Sequence, residues 1–245
     1  MSCSPECPRH KAEAVGISFR GEFMDLKKWL IPFALFAAAA VMGVHVLAQH
    51  SELPLADKTI VLDSGHGGED DGAQREGIKE DEINLKITKQ LSTLLSAQGA
   101  NVILTREGDY DLAQENAQNR KREDMKRRVE LINCGLCDYY ISIHLNAYPA
   151  SDVKGAQVFF QKDQPESEKI AVQIQKQLNK VSENEKNIKA GDYYILNKPS
   201  VPGVLVECGF LSNPQERNRL NEESYQKTLA KAILEGLLIY EKENK

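Results

Sequence analysis

Short apolar runs alternate with longer segments of helical period from residue 57 to the end of the chain. Glycine-bounded apolar runs such as TIVLD predict buried strands, and apolar residues that recur every three or four positions predict helices. The predicted strands are residues 59–63, 101–105, 138–144, 155–161, 193–196 and 203–208. The predicted helices are residues 80–97, 120–133, 166–181 and about 225–240.

This alternation predicts an α/β fold with a mostly parallel central sheet and helices on both of its faces. The chain has 245 residues, which is enough for one such domain and an additional segment. We find no internal repeat and no second domain, so residues 57–245 are predicted to form a single catalytic domain. With 31 basic and 36 acidic residues the chain has no basic footprint, which argues against binding to nucleic acid.

One hydrophobic segment precedes this domain. Residues 29–44 contain no charged residue and follow Lys27 and Lys28, a pattern typical of a secretory signal or a membrane anchor at residues 24–48. The flanking lysines favour a cytoplasmic N-terminus, so the domain is expected outside the membrane, either anchored or secreted. Residues 1–23 form a polar extension, and we expect translation to begin at Met24. Residues 49–56 are predicted to be a linker.

Chemically useful side chains follow three of the predicted strands. His66 comes after the first strand, His144 ends the third, and Glu207 lies near the end of the last. The carboxyl ends of parallel strands share one edge of a sheet, where ligands bind. Glu80 begins the helix that leaves the first strand's loop, so it can reach the same edge.

Two imidazoles and one carboxylate around an open position form a catalytic zinc site in several hydrolases. A further carboxylate beside the ion can accept a proton from an activated water. His66, Glu80, His144 and Glu207 would supply three ligands and one base, but their spacing leaves open which glutamate has which role. The alternative is that the two histidines are hydrogen-bonded structural residues.

Four segments together resemble the signature blocks of the N-acetylmuramoyl-L-alanine amidase 3 family, in the family's order. They are residues 62–68 (LDSGHGG), 80–85 (EDEINL), 142–147 (SIHLNA) and 205–214 (LVECGFLSNP). The resemblance extends from residue 58 to about residue 240. Ser64 stands where the family usually has proline, a departure that removes no ligand.

The resemblance implies a Zn²⁺ ion held by His66, Glu80 and His144, with Glu207 as the catalytic base. It further implies that the substrate is peptidoglycan. The reaction would be hydrolysis of the amide between the lactyl group of muramic acid and the L-alanine of the stem peptide.

A narrower similarity is carried by residues 111–113 (DLA), 122–124 (RED) and 128–133 (RVELIN). Together with a single domain behind one hydrophobic segment, they resemble the spore-cortex amidases of the family. That resemblance implies a role in cortex maturation and germination, on the cortex side of the spore envelope. A peptidoglycan deacetylase would act in the same pathway to form muramic δ-lactam.

Two further residues are candidates for substrate binding. Asn146 could hydrogen-bond substrate or shape its loop, with neither favoured. Arg106 could bind a stem-peptide carboxylate, although we favour a role in bracing its loop. The basic run at residues 120–128 contains acidic residues as well and predicts a solvated helix face.

Two other functions compete with the amidase prediction. The first is a zinc peptidase that cuts bonds within the stem peptide. The second is a catalytically silent wall-binding protein, which the presence of all four candidate site residues disfavours.

Overall fold

The computed structural model describes residues 53–244. The predicted extension at residues 1–23 and the predicted signal or anchor at residues 24–48 lie outside the described residues. Within residues 53–244, no helix has both the length and the apolar character needed to cross a membrane.

Eight strands and six helices make up the described part of the chain. The strands are β1 (Thr59–Ser64), β2 (Gln74–Arg75), β3 (Ile78–Lys79), β4 (Asn101–Leu104), β5 (Tyr139–Asn146), β6 (Gln157–Phe160), β7 (Lys189–Ala190) and β8 (Gly203–Phe210). The helices are α1 (Glu80–Ala97), α2 (Arg120–Ile132), α3 (Pro165–Val181), α4 (Tyr194–Asn197), α5 (Pro214–Leu220) and α6 (Glu223–Glu243).

Six of the strands form one sheet in the order β4-β1-β5-β8-β6-β7, and β2 and β3 form a separate antiparallel hairpin. Strand β1 pairs in parallel with β4 and β5, and β5 pairs in parallel with β8. Strand β6 is antiparallel to β8. The prediction of a mostly parallel sheet is confirmed, and the adjacent strands β1, β5 and β8 all end at one edge.

Helices cover both faces of this sheet, as predicted. Successive side chains of a strand point to opposite faces, so Ile60 and Leu62 of β1 join one apolar cluster and Val61 joins the other. Apolar residues of α1, α3 and α6 belong to the first cluster, and those of α2 and α4 to the second. Burial of these clusters is the main driving force for the fold.

Helix α1 places Glu80 beneath the edge where the parallel strands end. Its first turn holds Glu80, Asp81 and Glu82, whose charges complement the positive end of the helix dipole. Its buried stripe is Ile83, Ile87, Leu91 and Leu95, which anchors the helix against the sheet. The predicted limits of this helix, residues 80–97, are confirmed.

The short strand predicted at residues 193–196 is wrong. Tyr193 is extended, but its carbonyl accepts hydrogen bonds from the amides of Leu196 (3.0 Å) and Asn197 (2.9 Å), which closes the helical turn α4. Ile195 and Leu196 are buried against the second cluster. The apolar pair therefore packs as one turn of helix instead of pairing with the sheet.

Candidate metal centre

Three side chains from separate elements converge at the sheet edge. His66 lies two residues beyond the end of β1, Glu80 is the first residue of α1, and His144 lies within β5. One ligand atom from each of the three lies within 4.8 Å of the others. The structure thus brings together residues that are up to 78 positions apart in the sequence.

The Glu80 carboxylate is the centre of this group. Its Oε1 atom lies 3.2 Å from His66 Nε2 and 3.1 Å from His144 Nδ1. Ligand atoms bound about 2.0–2.2 Å from one tetrahedral ion lie about 3.3–3.6 Å from each other, close to these two distances. The imidazole centroids are 5.1 Å apart with the rings nearly perpendicular, so the two rings approach the same point from different sides.

Backbone and side-chain donors hold the Glu80 carboxylate in place. Leu145 N donates to Oε1 at 3.1 Å, Asn84 Nδ2 donates to Oε1 at 3.3 Å, and Ala73 N donates to Oε2 at 2.8 Å. Burial alone would raise the pKa of Glu80, but hydrogen bonds and charge from His144 and His66 hold it well below the ordinary value. The carboxylate is therefore ionised, as a metal ligand must be.

The donor set and its surroundings fit zinc. Two imidazole nitrogens and one carboxylate oxygen are ligands that Zn²⁺ takes in catalytic sites, with a fourth position left for water or substrate. Two glycines leave the space that the ligand side chains occupy. A Cβ atom on Gly65 would overlap the ring of His144, and one on Gly72 would lie 2.6 Å from Glu80 Oε2.

Glu207 lies beside these ligands in the next strand. It is the register partner of His144 across β5 and β8, and it lines the same cleft. The residue is 7% exposed, and its Oε2 atom has no hydrogen-bond partner within residues 53–244. Burial raises the pKa of Glu207 to about 7, against the opposing charge of His144. A carboxyl group is thus available next to the metal ligands.

The cleft around these groups has a volume of about 380 Å³. The ligands and Glu207 form one part of its lining, and Asn146 lies in the lining at the end of β5. Apolar and aromatic side chains cover the rest, among them Met125, Tyr193, Tyr194 and Ile195. Asn146 therefore stays a candidate for substrate binding.

The guanidinium of Arg106 is buried among backbone carbonyls. Arg106 is 1% exposed, and its guanidinium donates to the carbonyls of Ser64 (3.0 Å), Gly65 (3.0 Å), Asp81 (2.7 Å) and Gly108 (3.0 Å). These contacts favour the bracing role, and binding of a stem-peptide carboxylate by Arg106 stays a prediction. The hydrogen bonds to Ser64 and Gly65 connect Arg106 to the loop that carries His66, in agreement with the alternative favoured from the sequence.

A buried ion-pair network beneath the site was not predicted. Arg128 of α2 is 1% exposed and donates to Asp63 Oδ1 (2.8 Å), Asp124 Oδ2 (2.8 Å) and the carbonyl of His66 (2.7 Å). The solvated helix face predicted for residues 120–128 is therefore wrong at Arg128. The hydrogen bond from Arg128 to the carbonyl of His66 supports the backbone of that residue, which has a positive φ of 62°.

The comparisons with known proteins agree with this geometry. A family model described as N-acetylmuramoyl-L-alanine amidase matches residues 60–238. The germination-specific N-acetylmuramoyl-L-alanine amidase of Bacillus subtilis is 42% identical over 193 residues, which cover 77% of this chain and 81% of the relative.

Solved structures show the same similarity. The CwlD amidase of Clostridioides difficile, in complex with the GerS lipoprotein, has a TM-score of 0.72 and 41% identity, covering 75% of this chain and 98% of that chain. An N-acetylmuramoyl-L-alanine amidase from Clostridium difficile 630 has a TM-score of 0.70 and 28% identity, covering 78% of this chain and 100% of that chain.

The matched region contains every residue of the metal centre. His66, Glu80 and His144 form its zinc site. The substrate of the amidase activity is peptidoglycan, which lies outside the cytoplasmic membrane. The enzyme therefore acts outside that membrane. The chain belongs to the N-acetylmuramoyl-L-alanine amidase family.

Proposed function

We propose that Glu207 is the general base of this amidase and that the enzyme acts on the peptidoglycan of the spore cortex. The observation that carries the catalytic part is the position of Glu207, a buried carboxyl group beside His144 with an unpaired oxygen in the cleft. His66, Glu80 and His144 would hold the zinc ion, which would supply Lewis-acid polarisation and make a water molecule easier to deprotonate.

The chain's own residues then perform the proton transfers. Glu207 accepts the proton of the attacking water as the amide carbonyl carbon is attacked. The same carboxyl group delivers that proton to the amine of L-alanine when the carbon–nitrogen bond breaks. The products are a free carboxylate on the lactyl group of muramic acid and an intact stem peptide.

Replacing Glu207 tests this role directly. Glu207→Gln should lower kcat by about 10²–10⁴-fold, because general acid–base catalysis contributes about that much. Bound zinc should stay at the wild-type level, since the three ligands are unchanged. Glu82→Gln, at an exposed position of α1, is the control and should keep full activity. Undiminished activity of Glu207→Gln would mean that the base is a different group.

The spore role is supported by the named relatives and by the resemblance to spore-cortex amidases. In this role the enzyme removes the stem peptide from muramic acid. A peptidoglycan deacetylase in the same pathway then acts on that sugar, and muramic δ-lactam forms. Deletion of the gene should leave vegetative growth normal and yield cortex that lacks muramic δ-lactam. Ordinary lactam content in the mutant, measured by muropeptide analysis, would refute the role.

The N-terminal segment at residues 24–48 is proposed to hold the enzyme to the membrane, with residues 1–23 untranslated and residues 49–56 as a linker to the catalytic domain. The two lysines and the uncharged run after them support this. Intact-mass analysis of the membrane fraction should find a chain that begins at Met24. A soluble chain that starts near residue 49 would show instead that the segment is a cleaved signal.

A zinc peptidase could use the same four residues, so the geometry alone does not separate the two reactions. The family match and the named relatives favour the amidase. A catalytically silent wall-binding protein is disfavoured, because such a protein has no need of a buried carboxyl group beside three metal ligands.

A further inference from the structure

The carboxylate of Asp70 contacts His66 on the side of the ring opposite the metal centre. Asp70 Oδ2 lies 3.0 Å from His66 Nδ1, whereas His66 Nε2 lies 3.2 Å from Glu80 Oε1. One imidazole nitrogen therefore faces an outer carboxylate and the other faces the ligand set.

This contact selects the tautomer of His66. A neutral imidazole has one N–H group and one lone pair, and an ionised carboxylate can only accept hydrogen bonds. When Nε2 and Glu80 Oε1 bind the same ion, the imidazole proton must sit on Nδ1, where Asp70 accepts it, and the lone pair on Nε2 is left for the metal. Outer-shell partners of this kind fix the orientation of a ligand and raise its basicity.

The Asp70 carboxylate is itself held by its own loop. Gly72 N donates to Oδ1 at 3.2 Å, and the Asp70 carbonyl accepts a hydrogen bond from Gly67 N at 2.9 Å. Lys121 of α2 places its Nζ atom 3.1 Å from Oδ2. These contacts do not involve the metal, so the carboxylate is in position before an ion binds.

We propose that Asp70 is a positioning residue that sets the tautomer and orientation of His66 for zinc. This proposal rests on the zinc site formed by His66, Glu80 and His144 and is independent of the role proposed for Glu207.

Zinc affinity of the purified full chain is the first test, measured by competition with a chromogenic chelator. Asp70→Asn should weaken zinc binding about 10- to 100-fold, the usual effect of losing an outer-shell partner. In Asp70→Asn an NH2 group that can only donate replaces one of the two carboxylate oxygens, so either Gly72 N or His66 Nδ1 loses its acceptor. Asp70→Ala removes both interactions and should weaken zinc binding at least as much.

Glu69→Gln is the matched control. Glu69 is the adjacent residue, and its side chain is 79% exposed and reaches toward Arg120 at 3.7 Å. Its replacement removes the same charge from the same loop without touching His66, so zinc affinity should change less than about threefold because exposed charges are screened. Wild-type affinity in both Asp70 variants, or an equal loss in Glu69→Gln, would overturn the proposal.

The protonation of His66 gives a second readout that a merely structural role would not change. In the zinc-loaded wild-type chain, long-range proton–nitrogen NMR should show a protonated Nδ1 and a metal-bound Nε2 for His66. The Nδ1 proton should exchange faster with water in Asp70→Ala, when the variant is saturated with zinc. Should the variants fail to fold, the wild-type spectrum still decides: a metal-bound Nδ1 would refute the proposal.

Discussion

Gly72 shows how closely single residues are fitted around the zinc ligands. Its φ is +67°, and a Cβ atom there would lie 2.6 Å from Glu80 Oε2 and 2.8 Å from His66 Cδ2. Gly77, in the turn of the β2–β3 hairpin that follows, has a similar φ of +79° but nothing within 4 Å of its Cβ position. Both glycines therefore have a left-handed backbone conformation, but only Gly72 lies against the zinc ligands.

Gly72→Ala should weaken zinc binding, because the new methyl group displaces two ligands. Gly77→Ala should leave zinc affinity unchanged and lower the free energy of unfolding by about 1–2 kcal/mol, the cost of a left-handed conformation for a residue with a Cβ atom. Chelator competition and denaturant unfolding measure the two effects. Equal zinc affinities for the two variants would contradict the geometry around Gly72.

Asp63 and Arg128 form a fully buried ion pair under the same loop. Burial alone would raise the pKa of Asp63, but Arg128 and the hydroxyl of Ser142 hold it below its ordinary value. A lowered pKa in the folded state means that the stabilisation is present above the unfolded value near pH 4 and is lost as the pH falls below it.

Asp63→Asn should therefore lower the free energy of unfolding at pH 7 by about 3–5 kcal/mol, because it leaves the Arg128 charge buried without its partner. The difference from wild type should shrink below pH 4. Urea unfolding of the zinc-free protein at both pH values checks this. The exposed pair of Lys169 with Glu166 is the control, and Glu166→Gln should cost about 0–1 kcal/mol. If the loss of unfolding free energy in Asp63→Asn did not depend on pH, the stabilising ion pair of Asp63 with Arg128 would be refuted.

For single residues, the residue type and the position at the end of a strand or the start of a helix were enough to indicate His66, Glu80, His144 and Glu207. The residues that support them were not predictable. Asp63 and Arg128 are 65 positions apart, and their contact depends on where α2 packs against the sheet. A charged residue within a run of mixed charges gives no sign that it is buried.

Among the elements, helices α3 and α6 pack closely against each other at Gly236. A Cβ atom on Gly236 would lie 2.5 Å from Ile174 Cα and 2.8 Å from the carbonyl oxygen of Gln173. Both contacts are with backbone, so a rotamer change cannot relieve them. A glycine inside a helix otherwise costs about 0.5–1 kcal/mol relative to alanine.

Gly236→Ala should therefore destabilise the protein by about 1–3 kcal/mol, as overpacked cores do, despite the better helix propensity of alanine. Denaturant unfolding measures the change. Glu235→Ala, at the exposed neighbouring position, should stay within about 0.5 kcal/mol of wild type. A stabilising Gly236→Ala would show that the two helices have room to separate.

Long elements were predictable because their apolar period is repeated several times, as in α1. Short elements were not. The β2–β3 hairpin has two residues per strand, which is too few for an alternating pattern, and α4 was mistaken for a strand. Helix α5 carried a usable signal in Asn213, which caps the helix, followed by Pro214 in its first turn. The antiparallel direction of β6 has no counterpart in the local sequence.

For the molecule as a whole, the sheet order decides where chemistry can occur. Strands β1, β5 and β8 are neighbours that run in the same direction, so the residues at their carboxyl ends meet at one edge beside the start of α1. The zinc site at this edge hydrolyses the bond between muramic acid and L-alanine.

This activity can be tested by mass spectrometry of purified peptidoglycan that the full chain has digested with and without a chelator. We expect intact stem peptides that begin with L-alanine and glycan with unsubstituted lactyl groups. Both products should disappear with the chelator and return when zinc is added. Shortened peptides with alanine still attached to muramic acid, or a release of stem peptides that a chelator does not affect, would show that the zinc site does not catalyse this reaction.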